Sequence, residues 1–196
     1  MRQLHELRPV IQRYARDACG RLDYNHDYEH HIVFVARDAE YIAEEERADR
    51  DVVWTAAMLH EIGLVQGRSG HDERGARLAQ EYLRGLGVAD TAVDRISIAI
   101  RENTHDRVAA STLETKCLYD ADNLQTIGPV GFVRVLSDLL VVLQKLPRHE
   151  AMAELPKYQE RQMGRLQTKT GRALAEQGHR LMQEFYGQYE AFYSHV

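Results

Sequence analysis

Cysteine is scarce. The 196-residue chain has two, Cys19 and Cys117, far apart and outside any CxxC pair, so a disulfide framework is excluded. The thiols are expected to be reduced and the protein cytoplasmic. No apolar run approaches the ~20 residues that a membrane span needs. The opening MRQLHELRPVIQRYARDACG has no apolar signal-peptide core and reads as an amphipathic helix. Neither a membrane nor, with a net charge of −5 and no basic block, a nucleic-acid polymer is an expected partner. Local basic pockets are still compatible with this composition. Of the 25 basic residues 21 are arginine, the side chain that binds phosphate bidentately. Repeats, linkers and low-complexity segments are absent. HEIGL is not the H-E-x-x-H of zinc proteases, and GRSG is neither a phosphate loop nor G-x-S-x-G.

The dominant period is helical. Helices are expected over residues 2–19 (stopped by Gly20), 29–46 (Asp27 as N-cap), 48–63 (closed by Gly63), 72–87, 89–105, 113–128 and 130–146. Pro129 falls where a first helical turn tolerates it. Residues 155–196 read as one or two further helices, and 64–71 as a Gly/Ser loop. LLVVLQ is apolar enough for a buried strand, but no partner strand is evident. The expected fold is all-α: one helical bundle in a single domain over residues 1–196.

WTAAMLHEIG places His60 and Glu61 side by side at the end of an apolar run. Buried polar groups there must be satisfied or cost about 1–3 kcal/mol each. Similar residues recur on other apolar faces. Val35, Ala39 and Ile42 follow His31 at helical spacing, which puts His31 on the core stripe and turns His30 about 100° away. His71 opens the stripe Gly75, Leu78, Ala79, Tyr82. His105 lies seven residues after Ile98. Asp122 is flanked by Ala121, Leu124 and Ile127, with Asp120 on the same helix. Singly, each reads as a satisfied core residue or a cap. Converging, imidazoles and carboxylates suit a cation such as Zn, Mn, Fe, Co or Ni. A helix C-terminus beside His60 adds a partial negative charge that favours one.

These segments, in the order His, His-acid, His, His, Asp, resemble the HD-domain superfamily of metal-dependent phosphohydrolases. HHIVFVARDAEYIA is similar to the helix of the first ligand histidine, and AAMLHEIG to A-x-L-L-H-D-I-G. HDERGARLAQEYL and AIRENTH resemble the segments that supply further histidines in two-metal members. LYDADNLQTIGPVGFVR resembles the D-A-D-x-L segment, and TKTGRALAEQGHRLMQEF the tail of small stand-alone bacterial members. The match spans about residues 26–134, with the helices of 155–196 expected to pack on that core. One departure is Glu61, where the family has Asp; the arm is one methylene longer.

The resemblance implies that His31, His60, Glu61 and Asp122 hold one divalent ion (Mn, Fe, Co, Ni, Zn or Mg), with Glu61 and Asp122 central to catalysis. It implies that His71 and His105 hold a second ion or contact phosphate. His26, Arg74 and Arg101 become substrate contacts, and Asp120 and His30 lie behind the ligands. A metal-activated water would attack phosphorus in a nucleotide or a similar small phosphorylated metabolite. Two alternatives stay open: a two-iron oxygenase on the same ligand set, and a weak metal- or nucleotide-binding module, which Glu61 would suit. A homodimer is also left open.

Overall fold

The structure is a computed structural model that describes residues 2–23, 25–104, 110–142 and 145–193. It is all-α, with no strand among the described residues. The α-helices are α1 (Leu4–Cys19), α2 (Val33–Glu46), α3 (Arg50–Leu59), α4 (His71–Gly85), α5 (Asp90–Glu102), α6 (Leu113–Leu124), α7 (Gly128–Ser137), α8 (Arg148–Arg165) and α9 (Lys169–Tyr193). Their contacts group into two compact units, residues 1–121 and 122–196.

In the first unit α3 packs against α1, α2 and α5, and α4 packs on α5. Asp49 caps α3 by accepting from Val52 N, and every residue from Val52 to Leu59 is buried. A helix apolar all round must be central, and α3 is, because its neighbours each offer one stripe. That of α1 is Leu4, Leu7, Ile11, Ala15 and Cys19. Each large side chain so buried contributes about 1.5–3 kcal/mol. In the second unit α7 packs on α8 and α9, and α8 on α9. Its core is Val135, Leu139, Met152, Leu155, Met182 and Tyr186.

Three helix limits differ from expectation. The second helix is entered through a π turn, Tyr28–Ile32. The third ends at Leu59 rather than Gly63. There the chain tightens into three-residue turns, Ile62 N to Leu59 O (3.3 Å) and Leu64 N to Glu61 O (2.9 Å), and a 3-10 turn over Leu64–Gln66. Gly63 is not a left-handed cap, since its φ is −74°. It is glycine because a Cβ would lie 2.6 Å from Gly75 N and would also strike the His71 carbonyl. The sixth helix stops at Leu124, and Gly128, with φ +69°, opens α7 instead of closing α6. The described part of LLVVLQ forms no strand: Asp138–Val142 is a second π turn.

Candidate metal centre

The π turn aims the first histidine. Asp27 accepts from His30 N (2.6 Å) and pairs through its other oxygen with His30 Nδ1 (2.8 Å). Both carboxylate oxygens thus hold His30 at the surface, its side chain 49% exposed. His31, one step on, is turned inward and is 2% exposed. The extra residue of a π turn is what re-aims a side chain in this way, and such turns recur at functional sites.

The turn after α3 supplies the other half. His60 Nδ1 lies 2.6 Å from Ala57 O. A carbonyl can only accept, so Nδ1 carries the proton and the Nε2 lone pair faces away. That Nε2 sits 3.2 Å from His31 Nε2. Glu61 Oε1 is 3.5 Å from His31 Nε2 and 3.6 Å from His60 Nε2. His31, His60 and Asp122 bring ligand atoms within 4.8 Å of one another. Asp122 is carried by α6, the same helix that holds the fully buried Asp120.

These residues fit a cation. Two imidazole Nε2 atoms converge with carboxylate oxygens, the donor set of a hard-to-borderline divalent ion. Glu61 is 5% exposed, and its Oε2 has no hydrogen-bond partner among the described residues. Burial pushes its carboxyl pKa up. The hydrogen bond with His31, and the charges of His60, His31 and His26 when those rings are protonated, outweigh that and hold it at about 2. The fixed His60 tautomer is how a ligand histidine is oriented from behind.

The remaining residues named from the sequence fall elsewhere. His26 stands beside His31, ring centroids 5.9 Å apart, with Nδ1 2.8 Å from Asp23 Oδ1. His71 begins α4; its Nδ1 meets Arg68 O at 2.8 Å and its Nε2 Asp72 Oδ1 at 3.0 Å. Arg74 donates from Nε to Gly63 O (2.9 Å), from Nη1 to Ser69 O (3.1 Å) and from Nη2 to Gly67 O. Three of its N–H groups are thus engaged by its own loop. Arg101 is partly buried in the last turn of α5. His105 lies outside the described residues. Sequence reasoning missed Arg68, whose Nη1 is 3.4 Å from His26 Nε2. It sits in the Gly/Ser loop, where no periodicity marks it.

Comparison with known proteins agrees with this geometry. The HD-domain family model matches residues 28–127. The chain belongs to the HD-domain superfamily of hydrolases, and its His/His/Asp cluster is capable of binding a divalent metal. Among relatives, YpgQ of Bacillus subtilis is 31% identical over 199 residues, covering 97% of this chain and 93% of that protein. The crystal structure of YpgQ in complex with ADP superposes with a TM-score of 0.71 and 28% identity, over 96% of this chain and 97% of that one. A predicted HD superfamily hydrolase from an uncultured Thermotogales bacterium gives the same TM-score, 0.71, and 28% identity, over 98% and 99% of the two chains.

Proposed function

We propose that the protein is a metal-dependent phosphohydrolase that cleaves a phosphoester or phosphoanhydride of a nucleotide or similar small phosphorylated metabolite. The observation that carries this reading is the meeting of His31 Nε2 and His60 Nε2 at 3.2 Å beside the half-partnered Glu61. The ADP held by the related YpgQ supports a nucleotide substrate. His31, His60, Glu61 and Asp122 would hold the ion. Bound there, it would supply Lewis acidity and acidify a water to a pKa near ~7.

The protein's own residues do the rest. Ala57 O keeps His60 in the tautomer that presents Nε2. Asp27 keeps His30 out of the pocket, so one imidazole rather than two competes for the inward position. His26, with Nδ1 turned to Asp23, presents Nε2 on the outer side of His31. A single-domain, cytoplasmic enzyme is part of the same proposal. No single helix among the described residues is long and apolar enough to cross a membrane.

The test is a phosphate- and pyrophosphate-release screen over nucleotides and sugar phosphates with Mn, Co, Ni or Mg. Release that depends on metal and is abolished in His60→Ala is the expected result. No release with any metal would overturn the reading, and bound iron with oxygen consumption would replace it by an oxygenase.

A further inference from the structure

The loop over residues 63–71 is more elaborately held than a surface connection needs. Arg74 takes three of its carbonyls, those of Gly63, Gly67 and Ser69. Arg68 O, between the last two, accepts from both His71 N (3.1 Å) and His71 Nδ1 (2.8 Å). Gly67 and Gly70 stand at φ +109° and +65°, which glycine alone adopts cheaply. The backbone of Arg68 is therefore fixed from both sides.

Its side chain is not. The guanidinium reaches across to Asp23 and His26; Asp23 in turn accepts from Asn25 N (3.1 Å). There Nη1 lies 3.4 Å from His26 Nε2 and Nη2 3.7 Å from Asp23 Oδ2. Strong charge-assisted pairs are about 2.7–2.9 Å long. Other arginines of this chain reach that range, Arg95 to Glu114 at 2.6 Å and Arg84 to Asp90 at 2.9 Å. Arg68 is 47% exposed, and the His26 ring it faces lies 5.9 Å, centroid to centroid, from the ring of His31. A fixed backbone with a loosely partnered guanidinium loses little on taking up an anion, which is what pre-organisation for binding means.

We propose that Arg68 binds the phosphate of the substrate, and that Arg74 is a positioning residue that acts through it by holding the loop. This rests on the phosphohydrolase reading and deepens it. Arg74, for which three carbonyls already compete, is the weaker phosphate ligand.

The test measures inorganic phosphate binding to Mn-loaded protein by calorimetry, with steady-state kinetics on whichever phosphate ester the wild type cleaves. Arg68→Ala should weaken phosphate binding and raise KM by about 10-fold or more, the loss expected for charge-assisted hydrogen bonds. kcat and Mn content should change little, and Arg68→Lys should recover part of the affinity. Arg74→Ala should weaken phosphate binding only while Arg68 is present, so that the double variant equals Arg68→Ala. Wild type and Arg68→Ala binding phosphate equally would overturn the assignment of Arg68 and leave the phosphohydrolase reading intact. Additive losses would overturn the positioning role of Arg74. A wild type that neither binds phosphate nor releases it would overturn both proposals.

Discussion

The two compact units differ in how much charge they bury. Residues 1–121 bury His31, His60, Glu61, Glu102 and Asp120. They also lace their surface with ion pairs, Arg8 to Glu40 (2.8 Å) and Asp51 (3.0 Å), and Arg95 to Asp49 (2.9 Å) and Glu114 (2.6 Å). Residues 122–196 bury one charged side chain, Arg134, among neutral amides and a phenol. Gln159 Oε1, Gln162 Oε1, His179 Nδ1 and Tyr186 OH have no partner among the described residues. That unit also exposes Val133, Val141, Leu181 and Phe192. Charge buried at a cost is a mark of chemistry when the groups converge on one point, as His31, His60 and Glu61 do. Scattered unsatisfied groups are only a cost, about 1–3 kcal/mol each. The first unit holds the buried histidine pair and Glu61; apart from Asp122, the second is organised around its own packing.

The comparison can be broken hardest at Gly63. A methyl there meets the backbone of α4, so Gly63→Ala should cost about 3 kcal/mol or more, read as a fall in Tm. Gly187→Ala on α9, where a Cβ meets nothing within 4 Å, should be neutral or stabilising by about 0.5–1 kcal/mol. Next comes the neighbouring pair. His31→Ala should weaken Mn binding by about 100-fold, the upper range for disturbing a metal site, whereas His30→Ala should leave it close to wild type. The reverse order in a metal titration would mean that the inward residue is not the ligand.

Glu61 follows. Glu61→Gln keeps the size but removes the charge, and should weaken metal binding and cut turnover by at least ~10-fold. Glu61→Asp discriminates further. Weaker binding than wild type means a pocket widened to suit the longer arm, and tighter binding means a ligand in decay. Equal affinity in both variants would remove Glu61 from the site.

On the other side of the comparison, Tyr186→Phe deletes a hydroxyl that has no partner among the described residues and whose pKa burial pushes up to about 12. It should leave Tm unchanged or raise stability by about 1 kcal/mol. The smallest effect is acid sensitivity. Burial raises the Glu40 and Glu114 carboxyl pKa values, but bonding to Arg8 and Arg50, and to Arg95, holds both below the ordinary value. A carboxylate depressed in the folded state stabilises it above the unfolded pKa, near ~4.3 for Glu, and the contribution is lost as pH falls through the folded value. These pairs are partly exposed, so each should contribute under about 1 kcal/mol. Thermal melts should show the loss below pH ~4 and its attenuation in 1 M salt.

Much of this was legible in the sequence. The stripe of α1 and the eight-residue buried run of α3 announce their helices, and Asp27 stands where a cap belongs. The spacing of Val35, Ala39 and Ile42 pointed to His31 over His30, and the structure buries the first and exposes the second. The π turn that accomplishes this left no periodic signal, because one inserted residue looks like ordinary helix. The end of α3 was misplaced by four residues for a related reason. Gly63 resembles a cap in one dimension, while its actual constraint, the approach of α4, is tertiary. Arg68 was invisible because loops carry no phase, and Arg74 stood out because it lies on the helical segment that His71 opens.

The most direct test of the metal centre is the metal-to-protein ratio of purified protein, taken with Tm before and after chelation. The account predicts a bound divalent transition metal and a lower Tm once it is removed, since a ligand that binds only the folded state stabilises it. Protein without metal, whose Tm is unmoved by chelator and by added Mn, Co, Ni or Mg, would contradict it.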